Sequence, residues 1–328
     1  MRIVFLILLW ICTSQAQAQE SWYNNDQPQE LGYVNWLRDY DKALERAKEE
    51  NKPVLILFQE VPGCSTCQYY GNEILRHPFI VELVESHFIP LAIYNNKRGK
   101  DLEILKKYNE PTWNNPVVRI VDEQGENLVS RLAGNYSLVG LADNIRQGLV
   151  LSGQTVPSYL ELWHKELTGQ NSKEEAFLSM YCFWTGEKEI AQIDGILGTE
   201  AGFMHGREVV KITYDSNKTD LKKVVKSAEK VQCADQVFAD GNHTQKIDKK
   251  VGRYRKDRED KFYLTKSPLR FVPMTNLQAT KVNSALGTNQ DPLVFLSDRQ
   301  IALHRSNTQQ NSYIGEDFVS AWYDRITL

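Results

Sequence analysis

Two cysteines separated by two residues, Cys64 and Cys67, stand in the segment Val-Pro-Gly-Cys-Ser-Thr-Cys at 61–67, directly after the apolar run 54–60. Such a pair can pass electrons between two thiols and a disulfide. Pro53 and Pro62-Gly63 bound the run, so the sequence predicts a buried strand, a sharp turn and a helix opening at Cys64. A thiol at a helix N-terminus is stabilised as thiolate by the macrodipole and free backbone N–H groups, which makes Cys64 the nucleophile. Cys67, one turn on, is within reach of a mixed disulfide on Cys64 and is read as the resolving thiol. Half of a zinc site or a structural disulfide are the other uses of this spacing. No second Cys-x-x-Cys or Cys/His pair at ligand spacing accompanies it, and no metal or cofactor is expected.

The elements that must position this pair follow along the chain. With 328 residues about two domains are expected, and a net charge of −3 lacks the basic excess of a nucleic-acid binder. Arg2, the apolar stretch 3–12 and Ala16-Gln17-Ala18 read as a cleavable signal over 1–18, the alternative being an uncleaved anchor. Ten apolar residues are too few to span a bilayer, which takes roughly twenty, so stable membrane insertion is not expected. The signal implies a periplasmic or secreted protein, where disulfides persist. Residues 19–35 have no period and are expected to run extended over the surface. Helices are expected over 36–50, 64–76, 81–86, 101–108 and 138–149, and strands over 54–60, 88–94, 117–121 and from Asn127. Pro116 opens the third of these strands, where either an ordinary trans proline or a cis peptide beside a thiol site fits.

In that order of elements the segment 36–150 resembles the thioredoxin superfamily. The Val-Pro-Gly lead-in resembles more narrowly the thioredoxin-like (seleno)proteins with a Val-Pro-Gly-Sec-x-x-Thr motif, with Cys64 at the selenocysteine position and Cys67 at the threonine. The resemblance implies a thioredoxin-like α/β domain over 19–155, with Pro116 at the substrate-binding surface. It implies as partners disulfide-containing or oxidised proteins and an electron-donating thiol reductase. Where thioredoxins carry a buried Asp six residues before the nucleophile this chain has Phe58. Glu60 is the nearby carboxylate for proton transfer, or else a solvated loop residue.

A linking helix is expected within 156–175. From 176 the pattern is a strand over 177–183, a helix over 188–193, strands over 196–203 and 208–214, and a helix over 221–230. This order predicts an α+β ferredoxin-like unit over 176–328 with a C-terminal extension that packs on one of the domains. The region 240–262, with seven Lys/Arg between Lys246 and Arg258 mixed with acids, is read as a solvated loop or helix face rather than a binding patch. Cys182 ends the first of these strands, and Cys233 follows the last helix. Cys233 is placed either to resolve a sulfenic acid on Cys182 or to form a structural disulfide, worth about 4 kcal/mol by loop closure.

Residues 181–228 resemble A-type peptide methionine sulfoxide reductases, through Cys182-Phe183-Trp184 and Glu208-Val209-Val210. The resemblance implies Cys182 as nucleophile, Glu208 as acid toward the sulfoxide oxygen, and Phe183 and Trp184 as the methyl pocket. Phe203 stands where the family has a tyrosine, and Tyr181 where it has glycine. The same strand-helix order occurs in heavy-metal-associated domains, which need two cysteines where only Cys182 is present. Two readings of the whole follow. One is a thiol–disulfide oxidoreductase coupled to peptide methionine (S)-sulfoxide reduction. The other is thiol exchange alone, with residues 170–328 as a docking or substrate-binding module.

Overall fold

The computed structural model describes residues 23–113, 116–240, 248–306 and 311–327. The signal segment 1–18 lies outside them. The apolar run becomes β1 (Val54–Gln59), flanked by β2 (Ile89–Tyr94) in parallel and β3 (Val117–Val121) antiparallel, with the short β4 (Leu132–Ala133) beyond β3. Alternate residues of β1 feed opposite cores, as a strand buried on both faces requires. Leu55 and Leu57 face one cluster with Phe79, Leu83 and Leu141, while Val54, Ile56 and Phe58 face Ala43, Leu105 and Tyr108. Helices α1 (Tyr40–Glu50), α2 (Ser65–Tyr69), α3 (Pro78–His87), α4 (Lys100–Lys107) and α5 (Leu138–Leu151) supply these layers, α1 and α4 on one face and α2, α3 and α5 on the other. α2 continues as a π turn over Tyr70–Ile74.

Several expected boundaries move. α1 begins at Tyr40 because Asp39 caps it, accepting the N–H groups of Asp41 and Lys42, and Trp36–Arg38 stays extended, with Leu37 bridged to Leu91. The strand expected from Asn127 is reduced to a bridge with Val121 and the two residues of β4. Residues 28–34 are not a surface segment: Gln29–Leu31 form a 3₁₀ turn, and Glu30, Leu31 and Val34 are buried. This strap lies across the helix that follows the cysteines. Gly71 makes the approach possible, since a Cβ there would stand 2.0 Å from the Gln29 carbonyl oxygen.

Helix α6 (Ser158–Thr168) leads to a second sheet of β5 (Lys173–Ser179), β6 (Ile196–Met204), β7 (Arg207–Asp215), β8 (Gln236–Phe238), β9 (Asp248–Lys249) and β10 (Arg255–Lys256), in the spatial order β10-β6-β7-β5-β8-β9. The four strands β6, β7, β5 and β8 are antiparallel neighbours. Helices α7 (Phe183–Ile190) and α8 (Leu221–Lys230) cover one face with a core of Ala176, Leu178, Val210, Ile212, Val224 and Ala228. β5 ends at Ser179, so Cys182 is not on the strand; it is the N-cap of α7, which starts five residues before the helix expected there.

The charge run is not wholly solvated. Asp260 and Lys261 are buried with Glu187 of α7: the Lys261 Nζ lies 3.1 Å from Glu187 and 3.3 Å from Asp260. Burial pushes Glu187 up to about 8, while its partners hold Lys261 charged and the lysines beside it keep Asp260 ionised. The C-terminal part forms α9 (Phe262–Thr265), α10 (Asn276–Gly287), α11 (Asp298–Arg305) and α12 (Phe318–Thr327). It packs on both halves: α10 lies on α7 and β6, whereas Leu303, Phe318 and Trp322 enter the first core.

Candidate functional site

The cysteine turn leaves the C-terminal end of β1, where Val117 pairs with Phe58 and brings the buried Pro116 alongside. The Asn115–Pro116 bond includes a residue outside those described; the Val61–Pro62 bond is cis. Gly63 is required sterically, because a Cβ would stand 2.4 Å from the Glu60 carbonyl oxygen and 2.5 Å from the Cys67 Cβ. Cys64 is the exposed N-cap of α2 and Cys67 is fully buried, with their sulfurs 3.7 Å apart as thiols. The two sulfurs are electrostatically unlike. Backbone N–H groups of Cys67 and Thr66 hold the Cys64 thiol below its usual range, whereas burial pushes Cys67 up to about 12. At neutral pH the outer cysteine is therefore the better nucleophile, and the inner one attacks only after losing its proton.

Phe58 packs edge-on against Tyr108 and cannot move a proton. Glu60 is partly exposed, and its carboxylate and both sulfurs lie within 4.8 Å of one another. Its charge raises both thiols.

Two further residues hold the site that the motif does not reveal. Glu30, 4 % exposed, accepts the Gly63 N–H at 2.8 Å, immediately before the nucleophile. Gln59, fully buried at the end of β1, donates to the carbonyl oxygens of Glu30 at 2.5 Å and Cys67 at 3.1 Å. Gln59 leaves a trace in the sequence as the polar residue closing an apolar strand. Glu30 leaves none.

The second cluster is on β7 and α7. Glu208 accepts the Phe183 N–H at 2.9 Å, one residue after Cys182. Phe183 lies 5.5 Å from the ring centre of Trp184 and 5.3 Å from that of Phe203. The expected residues are thus brought together. The aromatic faces are already covered, however: Trp184 stacks on Phe262 at 4.0 Å, and the Arg255 guanidinium lies over Phe203 at 4.5 Å. Cys182 is half-buried and Cys233 buried; both are thiols and form no disulfide. Burial pushes Cys233 up to about 11, with Glu189, Asp235 and Cys182 adding to the rise. No helix among the described residues is long and apolar enough to cross a membrane.

Residues 35–123 match a family model described as thioredoxin-like, and a thioredoxin-like domain occupies this part of the chain. Among solved structures the chain is similar to one titled "DsbH Oxidoreductase", at 18% identity and a TM-score of 0.32, covering 39% of this chain and 92% of that one. No curated protein matches the chain.

Proposed function

We propose that this protein is a thiol–disulfide oxidoreductase of the periplasm or the secreted space, acting on disulfide-containing or oxidised proteins. The observation that carries the reading is the inequality of two thiols 3.7 Å apart, one exposed with its pKa lowered and one buried and raised to about 12. In the reducing direction the Cys64 thiolate attacks a substrate S–S bond, forming a mixed disulfide and releasing one substrate sulfur, which takes a proton. Cys67 then gives its proton to Glu60 or water and attacks the Cys64 sulfur. The second substrate thiol leaves, two electrons have passed to the substrate, and the Cys64–Cys67 disulfide remains for an external thiol reductase to reset. The exposed ring of Tyr69 on α2 offers apolar surface to a polypeptide near the nucleophile. A Cys67→Ser variant is expected to trap a mixed disulfide on Cys64. Trapping on Cys67 in Cys64→Ser, with none in Cys67→Ser, reverses the roles.

Residues 19–155 and 176–328 are read as two units joined by 156–175. The β-α-β-β-α-β order and the antiparallel neighbours β6-β7-β5-β8 support a ferredoxin-like second unit. Its proposed activity is peptide methionine (S)-sulfoxide reduction, supported by Cys182 at the start of α7 beside Glu208 and Phe183. The stacks of Trp184 on Phe262 and Arg255 on Phe203 favour the second reading, a docking module without turnover. A methionine (S)-sulfoxide peptide with excess dithiothreitol separates them, since only the first gives turnover that is lost in Cys182→Ser.

A further inference from the structure

The redox turn has the donor set of a small metal site. Two thiolates about 2.3 Å from a tetrahedral zinc ion stand about 3.8 Å from each other. Cys64 and Cys67 are 3.7 Å apart, so the sulfur pair needs no rearrangement. A carboxylate oxygen on the same ion would lie about 3.6 Å from each sulfur. Glu60 begins within 4.8 Å of both, so binding asks its carboxylate to approach by up to about 1 Å, and its partial exposure leaves the side chain room to move. Each sulfur also already accepts backbone N–H groups, Cys64 from Cys67 and Thr66 and Cys67 from Glu60. Such outer bonds orient and stabilise thiolate ligands once a metal is bound.

We propose that the reduced pair and Glu60 together bind one thiophilic divalent cation of the zinc class, with the fourth position left to water. Binding replaces up to two thiol protons by the ion and transfers no electrons. The oxidised pair, each sulfur bonded to the other, has no thiolate to offer. The ion therefore favours the dithiol and occupies the nucleophile, so that metal and disulfide substrate compete for Cys64. This inference rests on Cys64 and Cys67 being a reducible pair, but on no particular exchange partner.

The test titrates the reduced full-length protein with Zn²⁺ against a chromophoric chelator under anaerobic conditions, with Co²⁺ as an optical probe of tetrahedral thiolate coordination. One equivalent is expected on the reduced protein and none on the disulfide form. Cys64→Ser and Cys67→Ser are each expected to weaken binding more than a hundredfold and Glu60→Gln at least tenfold, whereas Cys182→Ser/Cys233→Ser leaves it unchanged. At zinc a hundredfold above its dissociation constant, the dithiol-to-disulfide ratio at fixed redox poise should rise about a hundredfold, or about 59 mV. No uptake by the reduced protein overturns the proposal, as does full affinity in Glu60→Gln or binding that depends on Cys182 and Cys233 instead. Exchange with a disulfide peptide, measured without metal, keeps the two readings apart. Exchange without zinc uptake refutes the metal site alone, and zinc uptake without exchange refutes the oxidoreductase reading alone.

Discussion

Removing the Glu30 carboxylate tests whether the strap over 28–34 holds the nucleophile in place. In Glu30→Ala the Gly63 N–H, partly buried, loses an acceptor 2.8 Å away. A hydrogen bond to a charged group contributes about 1.5–3 kcal/mol, so a local loss of about 2 kcal/mol is expected. That corresponds to roughly a thirtyfold rise in local opening. Glu30→Gln keeps an oxygen at the same place without the charge, and about half the loss is expected, roughly fivefold. The assay is hydrogen exchange at the Gly63 amide, read beside an amide of β3 such as Ile120 as an internal reference, together with the rate of Cys64 alkylation by iodoacetamide. Gly63 should exchange faster in both variants, more in Ala than in Gln, with Ile120 unmoved and Cys64 alkylation altered in the same order. Unchanged Gly63 exchange in Glu30→Ala refutes the reasoning. Equal acceleration at Gly63 and Ile120 would do so too, since Glu30 would then act on the whole fold rather than on the turn.

Other outcomes follow from the buried ionisable groups. Alkylation of the reduced protein as a function of pH should label Cys64 at lower pH than an ordinary cysteine thiol and leave Cys67 intact until near pH 12, as peptide mapping can check. His77, buried and stacked on Trp163, is pushed down from 6.5 to about 3 by burial, although Asp317 opposes the shift. The unfolded chain binds this proton first, so stability is whole above pH 6.5 and falls by roughly 4 kcal/mol as pH drops through 3. Asn at this position keeps a capping side chain for α3, and His77→Asn should lower the acid-unfolding midpoint followed by circular dichroism. Lys261→Met leaves Glu187 and Asp260 buried without their shared cation and should cost about 3 kcal/mol in urea unfolding. Adding Glu187→Leu to it should recover part of that loss.

The parts legible in the sequence are those where apolar residues recur close together. β1, β2 and β3 are short apolar runs bounded by turn residues, and the cysteine turn follows from the prolines and glycine around it. The strap is different: its buried residues are Glu30, Leu31 and Val34, a spacing that matches no period, and the reason for its burial is Gly71, some forty residues later. Cys182 is misplaced by the sequence because 177–184 is nearly all apolar, while the true first half of β5, Lys173–Glu175, is charged and exposed. An apolar run shows burial; it does not show where a strand ends and a helix begins. Asp260 and Lys261 read as solvent-facing because their partner, Glu187, lies 74 residues before Lys261. The α12 face of Phe318 and Trp322 is visible as i, i+4 spacing, but its seat in the first core is a long-range choice that local pattern does not encode.

That long-range choice changes how the two cysteine pairs can meet. A relay from Cys64 to Cys182 and Cys233 draws its advantage from a flexible tether that raises effective concentration. The connection here is not flexible. Tyr159, Leu160 and Trp163 of α6 enter the first core, while Leu162 packs with Leu197 and Leu277 of the second half. The C-terminal part clamps the same junction. The Arg299 N–H donates to Glu82 at 3.0 Å, its guanidinium pairs with Glu85, and the Tyr323 hydroxyl donates to the Arg76 carbonyl oxygen. α2, behind Cys64, makes its principal contacts with the strap turn and the π turn, and α7, behind Cys182, with β6, β7, α8 and α10. Neither helix has the other among those principal contacts. A Cys64–Cys182 link in Cys67→Ser should therefore form between two chains, and its initial rate per chain should rise about tenfold when the protein concentration does. A rate independent of concentration would mean that the α6 and α12 contacts open in solution, and the relay would then run inside one chain.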